Sequence, residues 1–262
     1  MESLPLWIGR HALALWGILL ALALLAGDQL WRLAHRRRLA ATGKQGYVAL
    51  RPRTAAILLA LFGATFALLF WAVWTRTALV GFDAALAQAL HGQLSPAVLW
   101  PLAVITHIGK PALLMLAGAA LALRLAWKRD WPSFLPWCVA LCGTAACGEA
   151  AKHFVKRPRP FDGHAFLVET GYSFPSGHAM MSMVFFGMLA CLLLRRLAPR
   201  HQRAAIAATV AVVAIVGISR AVLTAHYLSD VLAGYALGAF WLVLGIGMAQ
   251  RMRRDARAPR LP

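Results

Sequence analysis

The sequence predicts an all-α fold: a polytopic membrane helical bundle with six spans in its core, one extra N-terminal transmembrane helix and an interfacial amphipathic helix. Of the 262 residues, 61% are hydrophobic and only 14% are charged, whereas soluble domains carry about 45–50% apolar and about 25% charged residues. The mean hydropathy is +0.66. The 27 Lys and Arg residues stand in short clusters between long uncharged stretches. This pattern is typical of membrane topology and argues against the continuous basic face of a nucleic-acid-binding domain.

Seven stretches come close to the roughly 20 apolar residues that a helix needs to cross a bilayer. They run from Ala12 to Trp31, Thr54 to Thr75, Pro111 to Trp127, Trp131 to Cys147, His178 to Leu194, Ala204 to Ser219 and Val231 to Gln250. Between the second and third, Phe82, Leu86 and Leu90 recur at i, i+4 and i+8 in the segment from Phe82 to Gly92. This spacing predicts a helix that lies in the membrane interface.

Charge sets the expected orientation. If all seven stretches span, most of the Lys and Arg residues fall on one side, which the positive-inside rule assigns to the cytoplasm. These residues lie within 32–53, 124–129, 195–203 and 251–260. The first stretch resembles a signal peptide, but its cleavage would leave the basic segment after it outside, so we expect an uncleaved anchor. The N-terminus is then outside and the C-terminus is cytoplasmic.

The same pattern divides the chain into three parts. Residues 1–53 are predicted to form an N-terminal transmembrane anchor with a basic cytoplasmic loop, residues 54–250 the core, and residues 251–262 a basic cytoplasmic tail. The four cysteines all lie in apolar stretches without the spacing of metal ligands, so neither a disulfide framework nor a metal site is expected. They are Cys138, Cys142, Cys147 and Cys191.

Three polar clusters lie on the side that should be poor in charge. Ionisable groups at membrane depth are costly and suggest function. In the first cluster, which contains Lys152, Arg159 is bracketed by Pro158 and Pro160. The two prolines hold this guanidinium on a stiff, extended backbone, which suits the binding of an anion.

The second cluster, Pro175-Ser176-Gly177-His178, stands directly before a predicted span. Free backbone N–H groups at a helix start bind anions, and glycine permits close approach. The third cluster contains Arg220, His226 and Asp230. Because His226 and Asp230 are four residues apart, they share a helix face, and Asp230 could accept the Nδ1–H and leave Nε2 free.

Together the clusters predict a phosphate site. Two histidines can transfer protons or attack phosphorus, and several cations can offset the charge of the phosphoryl oxygens. No acidic pair suited to Mg²⁺ accompanies them, so arginine and lysine are expected to take the place of a metal. We predict no cofactor.

These residues resemble the three-part signature of the type-2 phosphatidic acid phosphatase superfamily. The signature is Lys152, six residues, Arg159-Pro160; then Pro175-Ser176-Gly177-His178; then Ser219-Arg220, five residues, His226, three residues, Asp230. Every spacing is met, and the resemblance covers about residues 54 to 250. It implies a six-span membrane phosphatase core and leaves the first stretch outside.

The resemblance also implies a role for each residue. His226 would be the nucleophile that becomes a phosphohistidine, Asp230 would hold its tautomer and stabilise the imidazolium, and His178 would protonate the leaving alkoxide and then activate water. The phosphate would be bound by Lys152, Arg159, Ser176, Gly177 and Arg220. Since His226 must start neutral and His178 charged, a bell-shaped pH profile is expected.

The expected substrate is a membrane lipid phosphate, hydrolysed without a metal in a bacterial inner membrane, with the site facing the periplasm. Undecaprenyl diphosphate ranks first, followed by phosphatidylglycerol phosphate, phosphatidic acid and the phosphates of lipid A. Two alternatives stay open: a lipid phosphotransferase that uses the same phosphohistidine, and a non-enzymatic binder or transporter of lipid phosphates. No nucleic-acid partner is expected, and the sequence carries no signal for an oligomeric state.

Other polar residues receive structural interpretations. We expect Glu149 to pair with Lys152, three residues away on the same helix face. Lys110, Asp28 and His107 are interpreted as interfacial or interhelical residues. A further group outside the signature is expected in a solvated loop, with a substrate-binding rim as the alternative. It comprises His153, Lys156, Arg157, Asp162, His164 and Glu169.

Overall fold

The computed structural model describes residues 3–40, 50–91, 94–161, 163–164, 167–168 and 170–256, and within them the fold is helical apart from one two-stranded hairpin. The helices are α1 (Leu4–Arg10), α2 (Ala12–Ala40), α3 (Pro52–Trp74), α4 (Ala78–His91), α5 (Pro96–Thr106), α6 (Pro111–Trp127), α7 (Trp131–Val155), α8 (Gly177–Leu193), α9 (Pro199–Val222) and α10 (Leu228–Asp255). A 3-10 turn, His107–Gly109, joins α5 to α6. Strands β1 (Gly163–His164) and β2 (Leu167–Val168) pair antiparallel.

The predicted spans correspond to helices of this bundle. Among the described residues, six helical stretches are long and apolar enough to cross a membrane, and one of them combines α5, the 3-10 turn and α6. The remaining predicted span is α8, whose 17 residues reach about 25 Å at 1.5 Å per residue. The polytopic all-α fold is therefore confirmed. Much of the predicted basic loop (41–49) and the end of the predicted tail (257–262) lie outside the described residues.

Helix α10 occupies the centre of the bundle and packs against α3, α7 and α8. The largest hydrophobic cluster brings together residues of α6, α7, α8 and α10, with Trp137, Met181 and Val184 almost fully buried. Trp137 also donates from its indole Nε1 to the carbonyl of Gly118 on α6, at 3.0 Å. The bundle therefore fixes the relative positions of the helix ends from which the site is built.

The first span is an added helix that packs against α9. Asp28 on α2 pairs with Arg203 at the start of α9 and, at 2.8 Å, with Arg32 one turn further along α2. A Cβ on Gly27 would come within 3.1 Å of the Val210 side chain, so the two helices lie close together at this level. The interhelical role predicted for Asp28 is confirmed.

Two short helices lie beside the bundle, and neither was predicted. Helix α1 packs on α4, the predicted interfacial helix, where Ile8 contacts a buried cluster of Leu86 and Leu90 on α4 and Ala12 at the start of α2. Helix α5 packs on the end of α9 through Leu99 and Leu102. At 7 and 11 residues, α1 and α5 are too short to give a hydropathy signal of a span.

The two ends of the bundle differ in charge, as the sequence predicts. The turns after α6 and α8 and the last turns of α10 carry the basic clusters Arg124 to Arg129, Arg195 to Arg203 and Arg251 to Arg254. The guanidinium of Arg253 donates to the Ser133 hydroxyl at 2.7 Å, which places the end of α10 beside the start of α7. The predicted phosphate-binding residues lie at the opposite ends of these helices.

A close contact between α10 and the main chain of α8 gives a test of the packing. A Cβ on Gly238 would lie 2.5 Å from the main-chain carbonyl oxygen of Met180 on α8. Because main chain cannot swing away, Gly238→Ala must push α8 and α10 apart, and we expect a loss of about 1–3 kcal/mol, the usual cost of overpacking. The measurement is the melting temperature of the detergent-solubilised protein.

Gly247 on the same helix provides the matched control, since nothing lies within 4 Å of a Cβ there. Gly247→Ala should leave the melting temperature unchanged or raise it, because alanine favours the helix. Equal melting temperatures for the two variants would contradict the close contact between α8 and α10.

Candidate functional site

The three predicted clusters meet at one end of the bundle. Lys152 lies in the last turn of α7, Ser176 is the N-cap of α8, Arg220 lies in the last turn of α9, and His226 and Asp230 flank the start of α10. The Ser176 N–H donates to the Asp230 carbonyl at 3.0 Å, which joins the second cluster directly to the third. All eight predicted site residues therefore belong to one region.

The imidazole of His226 is held with one nitrogen available. Its Nδ1 lies 2.8 Å from the carbonyl oxygen of Ser173. Because a carbonyl can only accept, Nδ1 carries the proton and Nε2 keeps its lone pair. The guanidinium of Arg159 approaches that nitrogen, with Nη1 at 3.2 Å from Nε2. The tautomer is the one that a nucleophile requires.

The partner that sets this tautomer differs from the predicted one. Asp230 was expected to accept the Nδ1–H, but its Oδ2 lies 3.7 Å from Nδ1, beyond hydrogen-bond distance. Ser173, which the sequence analysis did not identify, takes that place with its main-chain carbonyl and also donates its hydroxyl to Asp230 Oδ2. Asp230 therefore acts on His226 through charge and through Ser173.

Asp230 is fully buried and its two oxygens have different partners. Oδ2 accepts from the Ser173 hydroxyl and from the Tyr227 N–H at 3.0 Å, which closes a capping box at the start of α10. Oδ1 accepts from Arg157 Nη1 at 2.6 Å. A carboxylate with this many donors is held rigidly in its charged form.

Arg157 corrects an expectation. It was placed in a solvated loop, yet it is only 6% exposed and pairs with Asp230 at 2.6 Å and with Asp83 at 2.9 Å. The reason is tertiary: the chain after α7 turns inward, and Arg157 finds two buried carboxylates there. Its neighbours His153 and Lys156 are exposed, as expected. Asp162, Glu169 and the side chain of His164 lie outside the described residues.

The signature cations surround the approach to His226. Arg159 also donates to the carbonyls of Ala225 at 2.9 Å and Gly171 at 3.1 Å, which anchors it beside the start of α10. Arg220 is completely buried. Lys152 pairs with Glu149 at 2.7 Å, as predicted, and remains partly exposed.

The start of α8 forms the opposite wall. The Ser176 hydroxyl is buried and has no hydrogen-bond partner within the described part of the chain. A Cβ on Gly177 would lie 3.8 Å from the Lys152 ammonium and 3.1 Å from the ring of Pro111, so a side chain would crowd the space in front of the helix N-terminus. The first N–H groups of a helix lack intrahelical partners. An anion in this space could accept from them and from the Ser176 hydroxyl.

His178 follows at the second position of α8. It is buried, and it lies close enough to Arg220, His226 and Arg159 to interact electrostatically with all three. Two histidines, a hydroxyl, a helix N-terminus and three cations therefore lie at the same end of the bundle. Such a set can hold a phosphoryl group and transfer protons on either side of it.

The burial of His226 leads to a prediction about pH. Removal from water lowers the pKa of its imidazole from 6.5 to about 4, against the opposing effect of the Asp230 carboxylate and with a further lowering by Arg220. His226 is neutral above its pKa, and only the neutral form attacks. We therefore expect the acid limb of the kcat/KM profile near pH 4, about 2.5 units below that of an ordinary histidine.

The measurement is kcat/KM against pH with one alkyl and one aryl phosphate substrate. The second ionisation of the substrate phosphate near pH 6 can also produce a limb, but that limb moves with the substrate. A limb common to both substrates belongs to the enzyme. If that common limb lies near pH 6.5, the neutral, buried state of His226 is wrong.

Comparisons with known proteins show what this chain is similar to. The family model of the PAP2 superfamily matches residues 133–254, a segment that contains all eight predicted site residues. Phosphatidylglycerophosphatase B of Bacillus subtilis (strain 168) is 28% identical over 157 residues, which cover 57% of this chain and 74% of that protein. Lipid A 1-phosphatase of Rhizobium johnstonii is 39% identical over 85 residues, which cover 32% of this chain but only 30% of that protein.

A solved structure has a similar fold. It is the crystal structure of the first transmembrane PAP2 type phosphatidylglycerolphosphate phosphatase from Bacillus subtilis, with a TM-score of 0.65 and 24% sequence identity. The superposition covers 77% of this chain and 98% of that chain. The shared architecture is that of a multi-pass membrane protein.

Proposed function

This chain carries a PAP2 superfamily domain and is a membrane lipid phosphatase, and from that premise we propose that it hydrolyses a phosphomonoester or terminal diphosphate of a lipid through a phosphohistidine at His226. One observation carries the mechanism. Nδ1 of His226 is occupied by the Ser173 carbonyl, while Nε2 keeps a lone pair directed at a guanidinium that would hold the phosphate.

In the first step, Nε2 of His226 attacks phosphorus and the bond from phosphorus to the lipid oxygen breaks. His178 gives its proton to that oxygen, so the lipid leaves as an alcohol, or as a lipid monophosphate if the substrate is a diphosphate. The phosphorylated imidazole keeps its proton on Nδ1 and carries a positive charge. Asp230, with Oδ2 at 3.7 Å from Nδ1, stabilises this charge.

In the second step, water attacks the phosphohistidine. His178, now neutral, takes a proton from the water as the bond between phosphorus and Nε2 breaks and its electron pair returns to the ring. Inorganic phosphate leaves, and both histidines regain their starting states. Through both steps the phosphoryl oxygens are bound by Lys152, Arg159, Arg220, the Ser176 hydroxyl and the Gly177 N–H, which offset the charge of the transition state.

The position of the site supports a lipid substrate. It lies where α7 and α9 end and where α8 and α10 begin, and it opposes the basic end of the bundle. With the basic end in the cytoplasm, the site faces outward at headgroup level, towards the periplasm of a bacterial inner membrane. A lipid phosphate could enter while its tails stay in the bilayer.

The comparisons change the order in which substrates should be tested. From the sequence alone undecaprenyl diphosphate ranks first, but the relative matched over 74% of its length is named a phosphatidylglycerophosphatase. We therefore place phosphatidylglycerol phosphate first and undecaprenyl diphosphate second. Lipid A phosphate follows because the lipid A 1-phosphatases match over 30% of their length, and phosphatidic acid completes the panel.

The test is phosphate release by the detergent-purified protein with EDTA present, across these four lipids. We expect release from one lipid well above the others, one phosphate per molecule of dephosphorylated lipid product, and a labelled acid-labile, base-stable phosphoenzyme after a rapid quench. Transfer of label to an added lipid or sugar alcohol without free phosphate would favour the phosphotransferase. Lipid binding without turnover would favour the non-enzymatic binder.

A further inference from the structure

A buried ion network lies beside the site, and Asp230 is the member of it that the proposed mechanism uses. Arg157 donates from Nη1 to Asp230 Oδ1 at 2.6 Å and from Nη2 to Asp83 Oδ2 at 2.9 Å. Asp83, on α4, also accepts from the Ser229 hydroxyl and from the Ser229 N–H at 3.2 Å. The guanidinium lies 3.9 Å from the centre of the Tyr227 ring. Helix α4, predicted only as an interfacial element, is thereby joined to the start of α10.

The three charged side chains are all buried: Asp83 is 1% exposed, Arg157 6% and Asp230 0%. Two carboxylates share one guanidinium, so the network has a formal charge of −1. Buried charges are costly unless they are compensated. A positive charge forms beside this network when the His226 ring is protonated or phosphorylated, since its Nδ1 lies 3.7 Å from Asp230 Oδ2.

Among the described residues, the groups that surround His226 other than Asp230 carry no negative charge. Arg220 from α9 and Arg159 from the preceding loop are cations, His178 from α8 is neutral or cationic, and Ser173 is uncharged. The net charge of −1 on Asp83, Arg157 and Asp230 therefore determines how stable the positively charged form of His226 is. If Arg157 paired with Asp230 alone, the pair would be neutral and this charge would be lost.

We propose that Asp83 and Arg157 are positioning residues for His226, through Asp230, and that Asp83 divides the charge of Arg157 so that Asp230 retains the negative charge which stabilises phosphorylated His226. This inference rests on the proposed phosphohistidine mechanism. It makes α4 part of the machinery that supports catalysis. Neither residue touches the substrate in this assignment.

The test uses opposite changes of charge in the full-length protein. Asp83→Asn removes a negative charge, so we expect kcat to fall about tenfold with little change in KM. The acid limb of the kcat/KM profile should move about one pH unit lower, because one unit charge shifts a nearby pKa by about this much at the effective dielectric constant of protein sites. Arg157→Gln removes a positive charge and should move the limb in the opposite direction, to higher pH.

Two further variants keep the test decisive if Arg157→Gln folds poorly. Arg157→Lys keeps the positive charge, so the acid limb of its kcat/KM profile should stay at the wild-type pH. The double variant Asp83→Asn with Arg157→Gln restores the net charge of −1, so the acid limb of its kcat/KM profile should return to the wild-type position.

Asp28→Asn is the matched control, because Asp28 is also an acid paired with arginines on an apolar helix, but at the contact between α2 and α9. It should leave kcat and the limb unchanged.

Failure of this inference differs from failure of the proposed function. If the wild-type protein traps no phosphoenzyme, the phosphohistidine mechanism is wrong. If phosphoenzyme forms but Asp83→Asn and Arg157→Gln shift the limb in the same direction, or lower activity only in step with the melting temperature, the network is merely structural and the inference is overturned.

Discussion

Replacing His226 by alanine is expected to lower lipid phosphate hydrolysis by about 10⁴-fold or more, because the variant lacks the nitrogen that attacks phosphorus and the residues around it act only as a unit. No phosphoenzyme should form. The buried Asp230 keeps its bonds from Arg157, Ser173 and Tyr227 in the variant. The protein should therefore still fold and bind lipid phosphate through its cations.

The measurement combines phosphate release, quench trapping of labelled enzyme and the melting temperature. His201→Ala is the control, since His201 is an exposed histidine at the opposite, basic end of the bundle. That variant should keep full activity. Residual turnover of His226→Ala above about one per cent of the wild-type rate, with labelled enzyme still trapped, would place the nucleophile on another residue.

Replacing His178 by alanine should lower hydrolysis of the lipid substrate by about 10²–10⁴-fold, the usual contribution of a general acid and base. The defect should depend on the leaving group. A lipid alkoxide is a poor leaving group and needs the proton, whereas an aryl phosphate leaves without one. With the aryl substrate, phosphoenzyme should form and persist, because the base that activates water is missing.

The experiment is a rapid-mixing measurement of aryl alcohol release. We expect a burst that approaches one equivalent of enzyme, followed by very slow turnover, whereas His226→Ala shows neither phase. His11→Ala controls for the loss of a histidine ring, since His11 is exposed and bonds the Trp7 carbonyl. If His178→Ala slows both substrates equally and accumulates no phosphoenzyme, His178 does not act as the acid and base.

The fold could be predicted in outline because the bilayer limits the choices. A chain with this hydropathy must satisfy its backbone within helices, and helices that cross must be long enough to do so. The charge clusters between them then set which ends lie together. The helices α1 and α5 were not predicted, since neither is long enough to span.

The three polar clusters of the candidate site could be predicted from the sequence, and the resemblance to the family signature implied the role of each residue. Lys152, Ser176 and Arg220 were placed at helix ends by their positions next to the apolar stretches, and the structure brings those ends together. Asp83 could have been found as well. It shares a helical stripe with the buried Ala87 and Leu90, at i+4 and i+7, and an acid on an apolar stripe needs a buried partner.

The sequence by itself determined the class of fold and the uneven distribution of charge, because these depend on composition and on hydropathy along the chain. Its spacing and its resemblance to a known signature also indicated the residues that we propose bind and attack a phosphate. Only the tertiary structure decided which groups are the hydrogen-bond and ion-pair partners of these residues. The Ser173 carbonyl takes the Nδ1–H that was assigned to Asp230, and Arg157 lies between Asp230 and Asp83 instead of in solvent. These partners lie 53, 73 and 74 positions apart along the chain. No local pattern encodes such pairs, because they form only when packed helices bring distant polar groups into the same buried space.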